Sequence, residues 1–214
     1  MDSYDYISDL KKIFGDVHVI TDEQTRKEFS TDKCPGNLLV DNTNICLAVV
    51  RPIRDKYREQ LIEFVKLTSL YGKKIIVRGG GSGVCGAITP RNGENTVILD
   101  MTTLDKIYEI NLESSYVDVG AGIKGDILEE IISKYHNHTI GHSPASLAIS
   151  TPGGWVATRS SGQFSSHYGT IENLVLAIEV ITADGQIKWV QGNELRSFCR
   201  MEGTTGIITR VKMK

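Results

Sequence analysis

The sequence predicts an α+β fold that has an N-terminal α/β part with a small parallel sheet and a C-terminal part with a mainly antiparallel sheet flanked by helices. In the first half, helical and strand patterns alternate, and an amphipathic stretch at about residues 55–71 lies between two apolar strand segments. In the second half, short strands follow one another, and Asp184-Gly185 is a strong hairpin signal. The change of pattern midway predicts two differently built parts.

The composition is that of an ordinary globular protein, because 40% of the 214 residues are hydrophobic and 23% are charged. With a net charge of -2 and no basic run, we expect no nucleic-acid partner. The start of the sequence is acidic and no apolar stretch reaches spanning length, so we expect a soluble, cytoplasmic protein without a membrane span. Four scattered cysteines are expected to be reduced thiols rather than a zinc or dithiol site.

The first half is expected to contain helices near residues 3–13 and 22–29, strands at 18–20 and 47–50, the helix at 55–71, and a buried strand at 73–77. Tyr57, Leu61, Phe64 and Val65 form the apolar stripe of the long helix, which Thr68 weakens. A strand, a crossover helix and a second strand form a parallel unit, so the residues after Val77 are expected at the carboxyl edge of a sheet, where ligands usually bind.

The second half is expected to contain paired strands at 107–111 and 116–119, a helix at 124–134, and a long strand at 174–182 that forms a hairpin with 186–190.

A dense glycine run at residues 78–86 follows the strand at 73–77. Glycines permit positive φ and close approach, so that backbone N–H groups can surround a phosphate or diphosphate. A P-loop is excluded, because Ala87 and Ile88 occupy the positions of its lysine and Ser/Thr. Residues 81–86 fit the G-x-G-x-x-G dinucleotide fingerprint, with Asp100 at about the expected offset, but Pro90 and Gly93 leave no room for its helix.

Four ordered motifs resemble the FAD-linked oxidases of the vanillyl-alcohol oxidase (PCMH-type) superfamily. They are VRGGGSGV at 77–84, HSPASLAISTPGG at 142–154, TRSSG at 158–162 and MEGTTGIIT at 201–209. Residues 153–159 and 168–175 are especially similar to alkylglycerone-phosphate synthases, followed by glycolate and D-lactate dehydrogenases. The resemblance covers nearly the whole chain, and a molybdenum-hydroxylase FAD domain fits less well.

The resemblance implies a PCMH-type FAD-binding fold of two subdomains, residues 1–101 and 102–214, which hold an extended FAD. Because residues 78–86 contain no histidine, FAD is expected to be bound non-covalently. The cofactor-binding residues implied by the motifs are Val77, Arg78, Gly79, Gly80, Gly81, Ser82, Gly83, Val84, Pro144, Ser146, Leu147, Ser150, Thr151, Gly153, Gly154, Thr158, Arg159, Ser160, Ser161, Glu202, Gly203, Ile207 and Ile208.

Several of these residues have simpler interpretations. Gly153-Gly154 fits a helix start after Pro152, and Arg159 on a helix fits a solvated or structural arginine, so no catalytic residue is assigned. His136, His138 and His142 could suggest a metal site if a strand directed the first two to one face. Exposed turn histidines are the preferred interpretation, and no metal is expected.

Related enzymes carry a cap domain that supplies most of the substrate pocket, and this sequence stops where the cap would begin. The chain is therefore expected to be part of an oxidoreductase or of an alkylglycerone-phosphate-synthase-like enzyme whose cap comes from a second polypeptide. That hypothesis predicts an exposed apolar patch near the flavin face. The alternatives are a stand-alone flavin-binding or electron-transfer module and a degenerate structural domain without FAD.

Overall fold

The computed structural model describes residues 3–36 and 44–214, and the chain divides into two compact units. The first unit contains residues 1–103 and 183–186, and the second contains 104–182 and 187–214.

The first unit combines helices on a mixed sheet. Its elements are α1 (Ser3–Phe14), β1 (Val19–Ile20), α2 (Glu23–Phe29), β2 (Ala48–Val50), α3 (Tyr57–Leu70), β3 (Lys74–Arg78) and β4 (Thr96–Asp100). The strand order is β1-β2-β4-β3, in which β2, β4 and β3 are parallel and β1 is antiparallel to β2. These elements confirm the α/β pattern of the first half, although β3 is half-buried at the sheet edge rather than fully buried, because β4 lies between it and β2.

Helix α3 buries the stripe that its apolar spacing predicts, and Thr68 belongs to that stripe. The Thr68 hydroxyl donates to the carbonyl of Phe64 at 2.6 Å and is 2.8 Å from the hydroxyl of Tyr6 on α1. Phe64 also packs edge-on against Phe14 with ring centroids 5.4 Å apart. A polar side chain is therefore buried here because its hydrogen bonds are satisfied. Helix α3 ends at Leu70, and two residues later Gly72 has a φ of 62°, which is unfavourable for other residues.

The second unit packs helices on an antiparallel sheet. Its elements are β5 (Ile107–Asn111), β6 (Tyr116–Gly120), α4 (Gly125–His136), α5 (Pro152–Thr158), α6 (Ser165–Tyr168), α7 (Ile171–Leu174), β7 (Val175–Ile181), β8 (Ile187–Gln191) and β9 (Ile207–Met213). The strand order is β5-β6-β9-β7-β8, and every neighbouring pair is antiparallel. The β7–β8 hairpin that Asp184-Gly185 predicts is confirmed. One core cluster joins β6, β7 and β9 to α4 and α5.

Candidate functional site: a glycine loop and the ends of a short helix

The glycine loop, residues 79–86, leaves the carboxyl end of β3, as expected. Gly81 and Gly86 adopt φ of 67° and 75°, a region that favours glycine. Residues 79–82 are half-buried and residues 83–85 are exposed. The loop therefore presents its backbone at the surface directly beyond the edge strand.

The guanidinium of Arg78 lies beneath this loop. It donates from Nη1 to the carbonyl of Thr31 at 3.2 Å and lies 4.8 Å from the ring centroid of Phe29. A Cβ at Gly81 would overlap the guanidinium, so a larger residue there would have to displace Arg78 as well as adopt a φ of 67°. Burial lowers the pKa of Arg78, an effect that the carboxylate of Asp100 opposes. Arginine nevertheless stays charged in proteins, so a cation is fixed against the loop.

Asp32 holds the far end of the loop, a role that the sequence did not indicate. Its buried carboxylate accepts the N–H of Gly86 at 2.8 Å and that of Cys34 at 2.9 Å. The N–H of Lys33 in turn donates to the carbonyl of Gly83 at 2.8 Å. The loop is thus fixed to a segment that lies about fifty residues earlier in the chain.

The loop has the donors that a diphosphate requires. Within residues 3–36 and 44–214, no atom accepts a hydrogen bond from the backbone N–H groups of Gly80 to Cys85. Together with the fixed charge of Arg78, these free N–H groups are suited to an anion without a lysine. The residues present therefore fit the diphosphate of FAD.

Asp100 forms an ion pair with Arg51 inside the first unit, which agrees with the exclusion of the dinucleotide fingerprint. Its side chain is 1% exposed, and it accepts the Nε–H of Arg51 at 2.8 Å. Its other oxygen accepts the N–H and hydroxyl of Thr102 at 3.0 and 2.7 Å. The residues between the loop and β4 form only the 3₁₀ turn Gly93–Asn95, so no helix begins in the glycine run.

In the second unit, Thr151 caps α5 and Pro152 lies in its first turn, so Gly153 and Gly154 are part of a helix start. Gly153 donates to the carbonyl of Ala121 at 2.9 Å, and a Cβ on Gly153 would overlap Ala121. Packing within the second unit therefore explains why residue 153 is a glycine. A Cβ at Gly154 would approach only the hydroxyl of Thr151, at 3.4 Å, so this glycine has no comparable packing reason.

The segment before α5 is a compact turn in which Pro144, Ser146 and Leu147 take part. The N–H of Leu147 donates to Pro144 at 2.9 Å, and that of Ser150 donates to Ser146 at 2.8 Å. The hydroxyl of Ser150 accepts the indole N–H of Trp155 at 2.8 Å. The Ser150 side chain is thus already engaged within the unit.

His142 is buried, so the expectation of an exposed turn histidine is wrong for this residue. Its ring is 1% exposed, packs edge-on against Trp155 at 4.8 Å and lies 2.8 Å from the Ser160 hydroxyl through Nε2. Its Nδ1 has no hydrogen-bond partner among the described residues. Burial lowers the pKa of His142 to about 4, so the ring is neutral at pH 7.

The structure also contradicts the strand that would align the other two histidines. His136 ends α4, and His138 follows the left-handed Asn137 that terminates the helix. The side chain of His136 lies outside the described part of the structure. Within that part, no group of His, Cys, Asp or Glu side chains is arranged to hold a metal ion.

At the end of α5, Arg159 has φ of 53° and pairs with Glu172 of α7 through two hydrogen bonds, the longer of 2.6 Å. The hydrogen bond from Arg159 lowers the pKa of Glu172. The two side chains are 43% and 34% exposed, and their pairing supports a structural role for Arg159. Thr158 donates its hydroxyl to the carbonyl of Gly154 at 2.9 Å, and Ser161 follows Ser160 in the loop after the helix.

The closing segment returns to the same end of α5. The N–H of Arg200 donates to Val156 at 3.2 Å, and the N–H of Glu202 donates to Ala157 at 3.0 Å, so Glu202 and Gly203 lie beside this helix end. Arg200 and Glu202 have φ of 67° and 51°. Three non-glycine residues with left-handed backbones therefore meet at one helix end, an arrangement that often marks functional sites.

Ile207 and Ile208 begin β9 and are buried, with Ile208 in the core cluster. Their backbones pair with β7, whereas pairing with β6 begins at Arg210. The main-chain edge of Ile207 and Ile208 that faces away from β7 therefore does not pair with β6. Because their side chains are buried, a cofactor would contact these two residues through the backbone.

Comparison with known proteins identifies the class. The FAD binding domain family matches residues 48–191. The chain therefore belongs to this family, which confirms FAD as the cofactor and the resemblance to FAD-linked oxidases.

Two curated relatives match over most of the chain. An alkyldihydroxyacetonephosphate synthase from Dictyostelium discoideum is 35% identical over 73% of this chain and 27% of its own length. An uncharacterized FAD-linked oxidoreductase, YgcU, from Escherichia coli K12 is 32% identical over 97% of this chain and 44% of its own length.

A solved structure of alkyldihydroxyacetonephosphate synthase superposes with a TM-score of 0.91 at 30% identity, covering 100% of this chain and 40% of that one. The predicted PCMH-type fold is thereby confirmed. The chain spans less than half the length of these relatives. In the described residues, no helix has both the length and the apolar character needed to cross a membrane.

Proposed function

We propose that the glycine loop of the first unit binds the diphosphate of FAD non-covalently, in the FAD-binding part of a flavin-dependent oxidoreductase. The observation that carries the proposal is the set of backbone N–H groups at residues 80–85 that have no partner among the described residues, beside the half-buried guanidinium of Arg78. Donors and a fixed cation in a half-buried loop suit a diphosphate better than a neutral ligand. A degenerate domain would have no reason to keep them.

The proposed contacts in the first unit are Val77 and Arg78 at the end of β3 and the loop backbone from Gly79 to Val84, including Ser82. Arg78 supplies charge, and Asp32 orients the loop through Gly86. Together with Gly81, which leaves space for the guanidinium, these residues define a preformed anion site. A loop that is already held by Asp32 requires little rearrangement when the diphosphate arrives.

In the second unit, the proposed contacts come from three segments around α5. They are Pro144, Ser146, Leu147, Ser150 and Thr151 before the helix, Gly153, Gly154, Thr158, Arg159, Ser160 and Ser161 on and after it, and Glu202, Gly203, Ile207 and Ile208 in the closing segment. Because Ser150, Ser160 and Arg159 already have side-chain partners, their contacts would use the backbone or require an exchange of partners.

When bound, FAD supplies hydride or electron transfer at its isoalloxazine ring. The residues of this chain would hold and orient the cofactor and neutralise its diphosphate. His142, neutral and buried beside Ser160, adds no charge to its surroundings at pH 7. The described residues offer no reason to assign a catalytic acid or base.

For the whole protein, we propose that a region beyond this chain, or a second polypeptide, supplies the substrate pocket. The relatives are more than twice as long as the part matched here. Exposed apolar side chains on the segments near α5, namely Ile149, Phe164, Tyr168 and Met201, would suit such a covering partner. The proposed substrates are a 2-hydroxy acid or an alkylglycerone-phosphate-type compound.

We also propose a cytoplasmic location, which the scattered cysteines without disulfide bonds support.

The test is a fluorescence titration of the purified chain with FAD, followed by acid precipitation. We expect saturable quenching with one FAD per chain and complete release of yellow flavin into the acid supernatant. Absence of FAD binding by the folded chain would overturn the proposal, and flavin retained in the precipitated protein would overturn its non-covalent part.

A further inference from the structure

A basic cavity lies beside the C-terminal end of α5, within the second unit. Its volume is about 470 Å³, and it is open to solvent. Arg159, Arg196, Arg200 and Glu172 supply its charged side chains, and Val156, Val175 and Leu195 supply apolar surface. A cavity of this size holds a small organic molecule rather than a single ion.

The charges of the cavity do not cancel. The carboxylate of Glu172 accepts two hydrogen bonds from Arg159. The guanidinium groups of Arg196 and Arg200 have neither an ion pair nor a hydrogen bond with any described residue, although the charge of Arg196 helps to lower the pKa of Glu172. Three arginines against one carboxylate leave a charge of about +2, which favours a phosphate dianion over a monocarboxylate.

Among the residues that line the cavity, Glu172 supplies the one carboxylate. Cys199 lines the cavity, and burial raises the pKa of its thiol, so it contributes no thiolate near pH 7. Glu194 is on the same 3₁₀ turn as Arg196, but its side chain does not line the cavity. The remaining polar lining, Asn173 and Asn193, consists of neutral amides that can donate hydrogen bonds to an oxyanion.

The backbone fixes two of the three arginines. Arg159 and Arg200 have φ of 53° and 67°, and the N–H of Arg200 is bonded to the carbonyl of Val156 at 3.2 Å. A left-handed conformation costs a non-glycine residue about 1 kcal/mol, and it persists only when its surroundings impose it. The backbone positions from which Arg159 and Arg200 project are therefore fixed by the surrounding structure.

We propose that this cavity binds the phosphate monoester group of a small molecule, with Arg196 and Arg200 as its principal ligands and the apolar wall in contact with the organic part. The proposal goes beyond FAD binding, because neither Arg196 nor Arg200 is among the residues proposed to contact FAD. Arg159 belongs to both sets, so the tests use the other two arginines.

The test is calorimetric titration of the chain with inorganic phosphate, before and after saturation with FAD, at about 0.15 M salt to screen weak surface binding. We expect phosphate to bind in both states and Arg196→Gln and Arg200→Asn each to weaken it at least about tenfold. Asn is chosen because it tolerates the left-handed backbone of Arg200. Arg91→Gln, which changes an exposed arginine of the first unit, is the matched control and should bind phosphate normally.

Acetate, tested in the same way, should bind at least about tenfold more weakly than phosphate, because it carries a single charge. The proposal is overturned by absence of phosphate binding at about 10 mM, by equal affinity in both cavity variants, by equal affinity for acetate, or by loss of phosphate binding on loading FAD. We expect the FAD affinity of Arg196→Gln to be unchanged. Because phosphate binding is also measured without FAD, a failure of this proposal can be distinguished from a failure of the proposed FAD binding.

Discussion

The carboxylate of Asp32 accepts the backbone N–H of Gly86 at 2.8 Å across a separation of 54 residues. The same carboxylate accepts the N–H of Cys34, so two backbone donors depend on one buried side chain. Because the glycine loop contains few side chains that could pack, this contact fixes where the loop ends. Asp32 is thus a positioning residue for the proposed diphosphate site.

Replacement of Asp32 should weaken both folding and FAD binding. Asp32→Ala leaves two backbone donors without their acceptor, and we expect the free energy of unfolding to fall by about 3 kcal/mol. In urea unfolding the midpoint should decrease, and in the fluorescence titration the FAD Kd should rise at least about tenfold. Asp16→Ala, which removes an exposed carboxylate, should change neither quantity. An unchanged FAD Kd in Asp32→Ala would show that loop position does not depend on Asp32.

Gly81 and Gly72 provide a matched pair, because their φ values are 67° and 62°. Gly81→Ala brings a Cβ into the guanidinium of Arg78, whereas Gly72→Ala meets nothing within 4 Å. Both should lose about 1 kcal/mol of stability from backbone strain, and only Gly81→Ala should also lose at least about tenfold in FAD affinity. Thermal unfolding and FAD titration separate the two effects. Equal FAD affinity in the two variants would contradict the proposed role of Gly81 in leaving space for the Arg78 guanidinium at the diphosphate site.

His142 should make stability depend on pH between about 4 and 6.5. Its pKa is about 4 in the folded protein and near 6.5 when unfolded, so the unfolded chain takes up the proton first as pH falls. Its contribution to stability is present above pH 6.5 and is lost progressively towards pH 4, amounting to about 3 kcal/mol.

The measurement is urea unfolding at several pH values. His142→Gln should flatten the slope between pH 4 and 6.5, whereas His138→Gln, which changes an exposed histidine, should retain it. The assignment fails if the wild-type slope survives in His142→Gln.

Asp100→Asn tests the rejected dinucleotide fingerprint. The substitution removes the charge that pairs with Arg51 but keeps an oxygen for Thr102, and we expect a loss of about 2 kcal/mol in stability. FAD affinity should change less than about threefold, because Asp100 is proposed to hold the sheet and not a ribose. A selective loss of nucleotide binding without destabilisation would restore the fingerprint interpretation.

The local elements could be predicted because their signals are local. The apolar spacing of Tyr57, Leu61 and Phe64 specifies one helix face, and Asp184-Gly185 specifies a hairpin. The sequence identifies the segment of β9 only as a motif and not as a strand, since Ile207–Met213 mixes buried and polar residues. This strand nevertheless occupies the centre of the second sheet. Strand order depends on pairings distant in sequence, which no local pattern contains.

The candidate site could be predicted where glycines and motif residues identify it, at residues 79–86 and around Gly154. The loop-holding role of Asp32 and the burial of His142 could not be predicted, because they depend on contacts with Gly86, Trp155 and Ser160, which are distant in sequence. Thr68 illustrates the same limit, since a threonine on an apolar stripe becomes a core residue only when Tyr6 of another helix is present as a partner.

Arg159, Arg200 and Glu202 carry charged side chains at backbone positions where glycine would be conformationally easier. Selection for heat resistance would be expected to favour glycine at these three positions. Glycine in place of Arg159 and Arg200 would remove two cations from the end of α5, so thermostabilised descendants of this domain should recognise anions less well.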